Sequence, residues 1–147
     1  MNHKLLIEYS VEIDPKFKSH IGQKDIVRAV SCSLKFSVTN SGDRVFPGGD
    51  ILPIDLDFNN IVKQTWIPEK PESCPELAIG EKKDLLSVET VPITDGLAWI
   101  KITIHSKDNQ PIDYLRVDNE PGQPIWRDCV YVVNREILLT LIKISGG

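Results

Sequence analysis

The sequence predicts an all-β fold, an antiparallel sandwich of two layers with about seven or eight strands. Residues 26–38 alternate apolar and polar side chains with a period of two, as a strand with one solvated face requires. Turn residues recur about every 10 to 20 positions, and no helical pattern separates the apolar runs before residue 134. An α/β fold needs helices between its strands, so we expect strands packed on strands.

The predicted strands begin in residues 1–13, where Ile7, Tyr9 and Val11 alternate with polar side chains. A loop is expected at 14–25, followed by one long strand that begins at Ile26 and runs to a glycine-rich turn. Further strands are expected at 51–58, 61–67, 82–91, 97–105, 112–117 and 125–133. Pro53 lacks an N–H group, so the strand at 51–58 should lie at a sheet edge or be broken there.

Segment 134–147 is compatible with either a helix or a strand. Asn134 is a good N-cap and Gly146 a plausible stop, which favours a helix. The apolar residues at helical spacing are Ile137, Leu138, Leu141 and Ile142. As a strand, the segment would place Ile137, Leu139 and Leu141 on one face. We expect residues 1–147 to form one domain, with 134–147 an added helix or strand whose apolar surface needs a partner.

Length, charge and composition exclude several classes of function. The chain has 147 residues, enough for one domain that buries roughly two-thirds of its unfolded surface. Its 17 basic and 21 acidic residues are interleaved and give a net charge of -4, so we expect no nucleic-acid partner. No apolar run approaches membrane-spanning length, so we expect no membrane insertion.

The cysteines and the first residues bear on the compartment. The chain has three cysteines, Cys32, Cys74 and Cys129, which is an odd number and too few for a disulfide framework. Whether any two of them are paired stays open. Residues 1–13 lack the apolar core and cleavage site of a secretory signal. We therefore expect a cytoplasmic protein, with a secreted or excised domain as the alternative.

Three segments carry a resemblance to a known family: KFSVTNSGDRVFPGGDI, LAIGEKKDLL and GLAWIKITIHSKDNQPI. In their order they resemble the CARDB-like (cell-adhesion-related) immunoglobulin-like domains of bacteria and archaea. The matching positions are Val38, Asn40 and Gly42 of a V-x-N-x-G turn, then Leu77, Ile79, Gly80 and Glu81, and Gly96 before a strand. The resemblance covers residues 26–112. It implies an immunoglobulin-like sandwich and a non-catalytic role as a spacer, adhesion unit or docking domain.

Candidate catalytic and metal-binding residues are scattered along the chain. His3, His20 and His105 are too far apart for the short spacing of a zinc site, and no histidine lies near Cys74 in sequence. No G-x-S-x-G motif is present. We therefore expect no enzyme, no metal and no cofactor.

A group of polar side chains could supply oxygen ligands to calcium. Asp55, Asp57, Asn59 and Asn60 lie together, but they lack the spacing of a calcium-binding loop. Side chains that protect an edge strand from pairing are the alternative interpretation, which we favour.

The function predicted is a non-catalytic protein-interaction or structural module. Its contact would be an exposed strand edge or the apolar C-terminal segment, through Ile137, Leu138, Leu141 and Ile142, with a protein partner or a second copy. Replacing Leu138 and Leu141 by serine should then weaken association more than folding.

The alternative is a carbohydrate-binding or adhesion module. In that interpretation the sugar stacks on exposed Trp66, Trp99 and Trp126. Asn109, Asp113 and Asn119 lie in plausible neighbouring loops and would supply polar contacts.

Overall fold

The computed structural model of the protein describes residues 2–58, 62–66, 73–115 and 122–146. Its strands are β1 (His3–Ile13), β2 (Ile26–Val27), β3 (Cys32–Asn40), β4 (Gly49–Ile51), β5 (Ile54–Phe58), β6 (Val62–Trp66), β7 (Ser73–Cys74), β8 (Lys82–Thr90), β9 (Gly96–Ile102), β10 (Ile104–Ser106), β11 (Ile112–Leu115) and β12 (Trp126–Val133). Two helices complete the fold, α1 (Pro15–Lys18) and α2 (Arg135–Ile144). The predicted all-β class and the C-terminal helix are confirmed.

One layer is a four-stranded sheet with the strand order β11-β1-β3-β8. β3 is antiparallel to both β1 and β8, whereas β11 runs parallel to β1. Along β3 the side chains of Cys32, Leu34, Phe36 and Val38 are buried and those between them are not. This confirms the period of two that the sequence shows in this segment.

The other layer is a five-stranded sheet with the order β2-β12-β9-β5-β6. β12, β9, β5 and β6 are antiparallel neighbours, and β2 pairs with β12 in parallel. β10, β4 and β7 form a small third sheet. The inner faces enclose one main core, where the ring of Trp126 meets the rings of Tyr9 and Phe36 edge-on at centroid distances of 6.0 and 6.1 Å.

The long strand predicted to begin at Ile26 is divided in the structure. β2 belongs to the five-stranded sheet and β3 to the four-stranded sheet, so the chain crosses between layers at residues 28–31. Ala29 has a φ of 63° within this crossing, which breaks the extended backbone. The apolar alternation continues across the break because each short strand contributes a buried side to the same core.

The strand predicted at 51–58 is broken at Leu52 and Pro53, as the missing N–H group of proline required. β4 pairs with β10 and β7, whereas β5 pairs with β9 and β6. Of the two predicted alternatives the break is therefore confirmed, and the edge position does not apply to β5, which lies inside the five-stranded sheet. The loop predicted at 14–25 also contains the one-turn helix α1, which buries Phe17.

Helix α2 begins where the sequence predicts. The Asn134 side chain accepts a hydrogen bond of 3.0 Å from the Ile137 backbone N–H. Gly146 has a φ of 76° just beyond the helix, a conformation that glycine adopts without strain. Neither α1 nor α2, the helices in the described part of the chain, has the length and apolar character needed to cross a membrane.

Candidate functional site

The outer face of the four-stranded sheet is covered by paired charges. Lys35 Nζ lies 2.8 Å from Glu12 Oε1, and Lys82 Nζ lies 3.5 Å from Glu8 Oε1. These four side chains come from β1, β3 and β8 and are all partly or fully exposed. This is an ordinary solvated sheet face, where ion pairs contribute little to stability.

The outer face of the five-stranded sheet is apolar over β9 and β12. Because the buried residues of β12 are Trp126, Val130 and Val132, the alternate positions point outward. Leu97 and Tyr131 are directly opposite each other there, with 45% and 51% of their surface exposed. Trp99 and Cys129 form the next outward pair. We call Leu97, Trp99, Cys129 and Tyr131 the β9–β12 face.

Charged residues border the β9–β12 face, and each of them contacts a neighbouring side chain. The Arg127 guanidinium carbon lies 4.9 Å from the centroid of the Trp99 ring, within range of a cation–π interaction. Lys101 Nζ lies 3.1 Å from Asp57 Oδ2 across two neighbouring strands. Thr65 Oγ1 donates a hydrogen bond of 2.9 Å to Asp55 Oδ1.

These contacts bear on the predicted calcium ligands. Asp55 and Asp57 are engaged in cross-strand contacts, and Asn59 and Asn60 lie outside the described residues. Among the residues that the structure describes, no three histidine, cysteine or acidic side chains are grouped as a metal site would need. The favoured interpretation, that Asp55 and Asp57 protect an edge strand from pairing, is also wrong, because β5 has a neighbouring strand on each side.

Helix α2 packs on the same outer face, at its β2 edge. Val27 of β2 and Val133 of β12 are directly opposite each other at outward positions. Leu138 and Ile142 of α2 lie over them and join Phe17 of α1 in a second small hydrophobic cluster. Tyr131 is the next outward position along β12 after Val133, so the β9–β12 face begins beside the helix.

A second apolar row on α2 is exposed to solvent. Ile137, Leu141 and Ile144 recur at i, i+4 and i+7, which places them on one side of the helix. Their exposed fractions are 61%, 55% and 77%, although helix packing has already buried Leu138 and Ile142. We call Ile137, Leu141 and Ile144 the α2 stripe.

The structure divides the four residues predicted to bind a partner. Ile137 and Leu141 are exposed, whereas Leu138 and Ile142 are 2% and 3% exposed and serve the core of this chain. Leu138 is therefore wrong as a surface contact, and its replacement by serine would disturb folding first. The predicted apolar face covered residues 137–144 without naming Ile144 as a contact, and Tyr131 was missed. For Ile144 a signal was present, since it follows Ile137 by two helical turns.

The three tryptophans do not form a shared platform. Trp126 is 2% exposed and packed in the main core, which corrects its assignment to a sugar-binding surface. Trp99 is half-buried beside Arg127, and the side chain of Trp66 lies outside the described residues. The side chain of Asn109 contacts His105 at 2.9 Å, Asn2 donates to Asp113 at 3.1 Å, and Asn119 lies outside the described residues.

His3 takes part in a hydrogen-bonded group that could be mistaken for catalytic residues. Its buried Nε2 lies 2.8 Å from Asp108 Oδ2, and Ser106 Oγ donates a bond of 2.6 Å to Asp108 Oδ1. The hydrogen bond from Ser106, with that from His3, holds the pKa of the Asp108 carboxyl well below its usual range. The serine is thus bonded to a carboxylate and not to the imidazole, so this arrangement does not activate a nucleophile. It ties the start of β1 to the turn after β10.

The cysteines are free thiols of two kinds. Cys32 and Cys74 are buried, and burial raises the pKa of their thiols to about 11 and about 12. Cys129 is exposed on the β9–β12 face, where desolvation also raises its pKa. The thiolate is the reactive form, so Cys74, which the sequence offered as a candidate, is suppressed as a nucleophile.

Comparison with known proteins places the fold. No family model matches the sequence, and no curated protein matches it either. Among solved structures, a CARDB domain from Pyrococcus furiosus, crystallised in complex with di-metal ions, aligns with a TM-score of 0.50 at 14% identity, over 90% of this chain and 88% of that one. The chain has a CARDB-like fold. The resemblance of the three sequence segments is therefore confirmed at the level of the fold.

Two other solved structures are similar at a lower level. The solution structure of a CARDB domain from Pyrococcus furiosus aligns with a TM-score of 0.45 at 17% identity, over 90% of this chain and 98% of that one. A β-glucosidase from Listeria innocua in complex with glucose aligns with a TM-score of 0.38 at 15% identity, and the match covers 86% of this chain but 17% of the enzyme.

Proposed function

We propose that this chain is a non-catalytic protein-interaction module. Its contact surface consists of the α2 stripe together with the β9–β12 face. The observation that carries the proposal is the contrast between the two outer sheet faces, since one presents paired charges and the other exposed Leu97 and Tyr131 next to an exposed apolar helix. Exposed apolar patches mark binding sites on soluble proteins.

The composition of this surface fits protein recognition. Tyrosine supplies a large, stiff apolar area with a polar tip, and such residues are enriched where binding energy is concentrated. Leu97 lies directly opposite Tyr131, and the charged residues Arg127 and Lys101 lie at the border. An apolar centre with a polar rim is the usual anatomy of an interface.

A strand edge is the weaker candidate for the contact. The longest edge strand in the described part of the four-stranded sheet is β8, which begins with exposed Lys82, Lys83 and Asp84. Its pairing with β3 shifts register opposite Phe36 and Ser37, which indicates a bulge. Charges and bulges are the devices by which proteins prevent edge pairing, so we assign the contact to the face and the helix.

Site-specific photo-crosslinking tests this function. A photoreactive phenylalanine analogue is introduced at position 141, at position 131 and, as a control, at exposed position 35 on the four-stranded sheet. We expect protein adducts from positions 141 and 131 in cells that express the chain, identified by mass spectrometry, and background adducts from position 35. Equal yields from all three positions would overturn the proposal.

A further inference from the structure

We propose that the partner of this surface is a second copy of the chain, bound with its α2 antiparallel to α2 of the first about a two-fold axis. This inference rests on the proposed function and names the occupant of its contact surface. The apolar stripe, the charges that flank it and the neutrality of the adjoining face all carry the proposal.

The stripe is symmetric about its own centre. Leu141 lies near the middle of the row, with Ile137 before it and Ile144 after it. An antiparallel copy therefore places Ile137 against Ile144 of the copy, twice, and Leu141 against Leu141 at the two-fold axis. All three side chains are more than half exposed in the single chain, so each has area left to bury.

The charges of α2 complement those of an antiparallel copy. Glu136 is in the first turn and Lys143 in the last, and their separation by two turns places both on the same flank of the stripe. In an antiparallel pair the same flank of the two helices meets, and the two helices run in opposite directions along it. Glu136 of each chain therefore lies next to Lys143 of the other. A parallel pair would leave Glu136 of one chain two turns away from Lys143 of the other, and its aligned helix dipoles would repel.

The rest of the surface does not oppose self-association. Lys101 is paired with Asp57 at 3.1 Å. Glu136 already contacts Arg28 of its own chain at 2.8 Å through Oε2, so Lys143 of the copy would be a second cation on a shared carboxylate, which has lone pairs for both. A ten-residue helix offers little apolar area to bury, and Leu97 and Tyr131 of the β9–β12 face add to that area. We therefore expect an interface at the small end of the usual range and a weak dimer with a micromolar dissociation constant.

A charge-swap experiment tests the arrangement. Glu136→Lys and Lys143→Glu are prepared separately, and sedimentation equilibrium is measured on each variant, on their equimolar mixture and on the wild type. Each single swap converts two attractive pairs between the chains into two repulsive ones, so we expect each to raise the dimer dissociation constant about tenfold. Glu136→Lys also removes the contact with Arg28 inside its own chain, so the recovery in the mixture is the deciding result. The mixture should regain a dimer as tight as wild type, because in a mixed dimer both helix contacts again join a lysine of one chain to a glutamate of the other.

A matched pair of variants controls for net charge. Glu89→Lys and Lys35→Glu make the same charge changes on the four-stranded sheet, and they should leave the dissociation constant unchanged, alone or mixed. Both α2 swaps affect exposed side chains, and circular dichroism checks that the variants remain folded.

The outcomes separate this inference from the proposed function. A wild-type chain that remains a monomer at every concentration, while position 141 crosslinks to another protein, would overturn self-association and leave the interaction module standing. A monomer without adducts above the control would overturn both. A dimer that ignores the swaps, or a mixture that fails to recover, would overturn the antiparallel arrangement.

Discussion

Replacing Leu138 and Leu141 separately by alanine separates the core side of α2 from its exposed side. Leu138 is 2% exposed and packs with Phe17, Val27 and Ile142, whereas Leu141 is 55% exposed. Deleting a buried leucine side chain costs about 2–5 kcal/mol of unfolding free energy, and more where the cavity cannot collapse. The second cluster is small and rimmed by partly buried side chains, which can relax, so we expect about 2–3 kcal/mol for Leu138→Ala.

The matched variant Leu141→Ala should change the unfolding free energy by no more than about 0.5 kcal/mol, because it leaves no cavity. For a chain of this length, 1 kcal/mol corresponds to a melting-temperature shift of roughly 2–4 °C. We thus expect Leu138→Ala to lower the melting temperature by roughly 4–12 °C and Leu141→Ala by less than about 2 °C.

Urea unfolding followed by tryptophan fluorescence and circular dichroism measures the two losses. It should be done at a concentration where the chain is monomeric, so that self-association does not contribute. Coincident transitions from both signals would justify a two-state analysis. Equal losses for the two variants, or no loss for Leu138→Ala, would refute the orientation of α2 on the sheet.

Contacts away from this surface give three further predictions. Tyr114→Phe should lower the unfolding free energy, measured in urea, by about 1–3 kcal/mol, because the Tyr114 hydroxyl accepts a hydrogen bond of 2.8 Å from the buried Ile104 N–H. An unchanged unfolding free energy would contradict this role. The Asp108 carboxyl has a lower pKa in the folded chain than in the unfolded chain, so its contribution to stability is present above about pH 4 and is lost as the pH falls toward the folded pKa. Asp108→Asn should therefore flatten the acid side of a plot of unfolding free energy against pH. An unchanged plot would argue against the hydrogen bonds of this carboxylate. A thiol reagent such as dithionitrobenzoate should label one cysteine of the native chain, Cys129, and all three after unfolding, whereas rapid labelling of buried Cys32 or Cys74 in the native chain would contradict their burial.

The strands were predictable where the signal is local. Alternation of buried and exposed side chains along β1 and β3 follows directly from the pleat, and Asn134 marks the start of α2 by its side-chain chemistry. The crossing between sheets at Ala29 was missed, because the apolar residues on both sides of the break alternate with polar ones in the same way. Which sheet a strand joins depends on distant partners.

The candidate site was only half predictable for the same reason. α2 is apolar on more than one side, and its sequence does not tell which side the sheet covers. Contact with Val27 and Phe17 buries Leu138 and leaves Leu141 exposed. The neighbourhood of Tyr131 and Leu97 depends on the register of β12 against β9, which no local pattern specifies.

Hydroxyl-radical footprinting across a concentration series tests the central claim most directly, because it measures the solvent exposure of individual side chains. We expect Tyr131, Ile137 and Leu141 to lose reactivity as the chain is concentrated from nanomolar to high micromolar. Val45 and Leu52, which have comparable exposure in the single chain, should keep theirs. Equal protection of all five residues, or protection confined to the strand β8, would contradict the claim that α2 and the β9–β12 face form the contact.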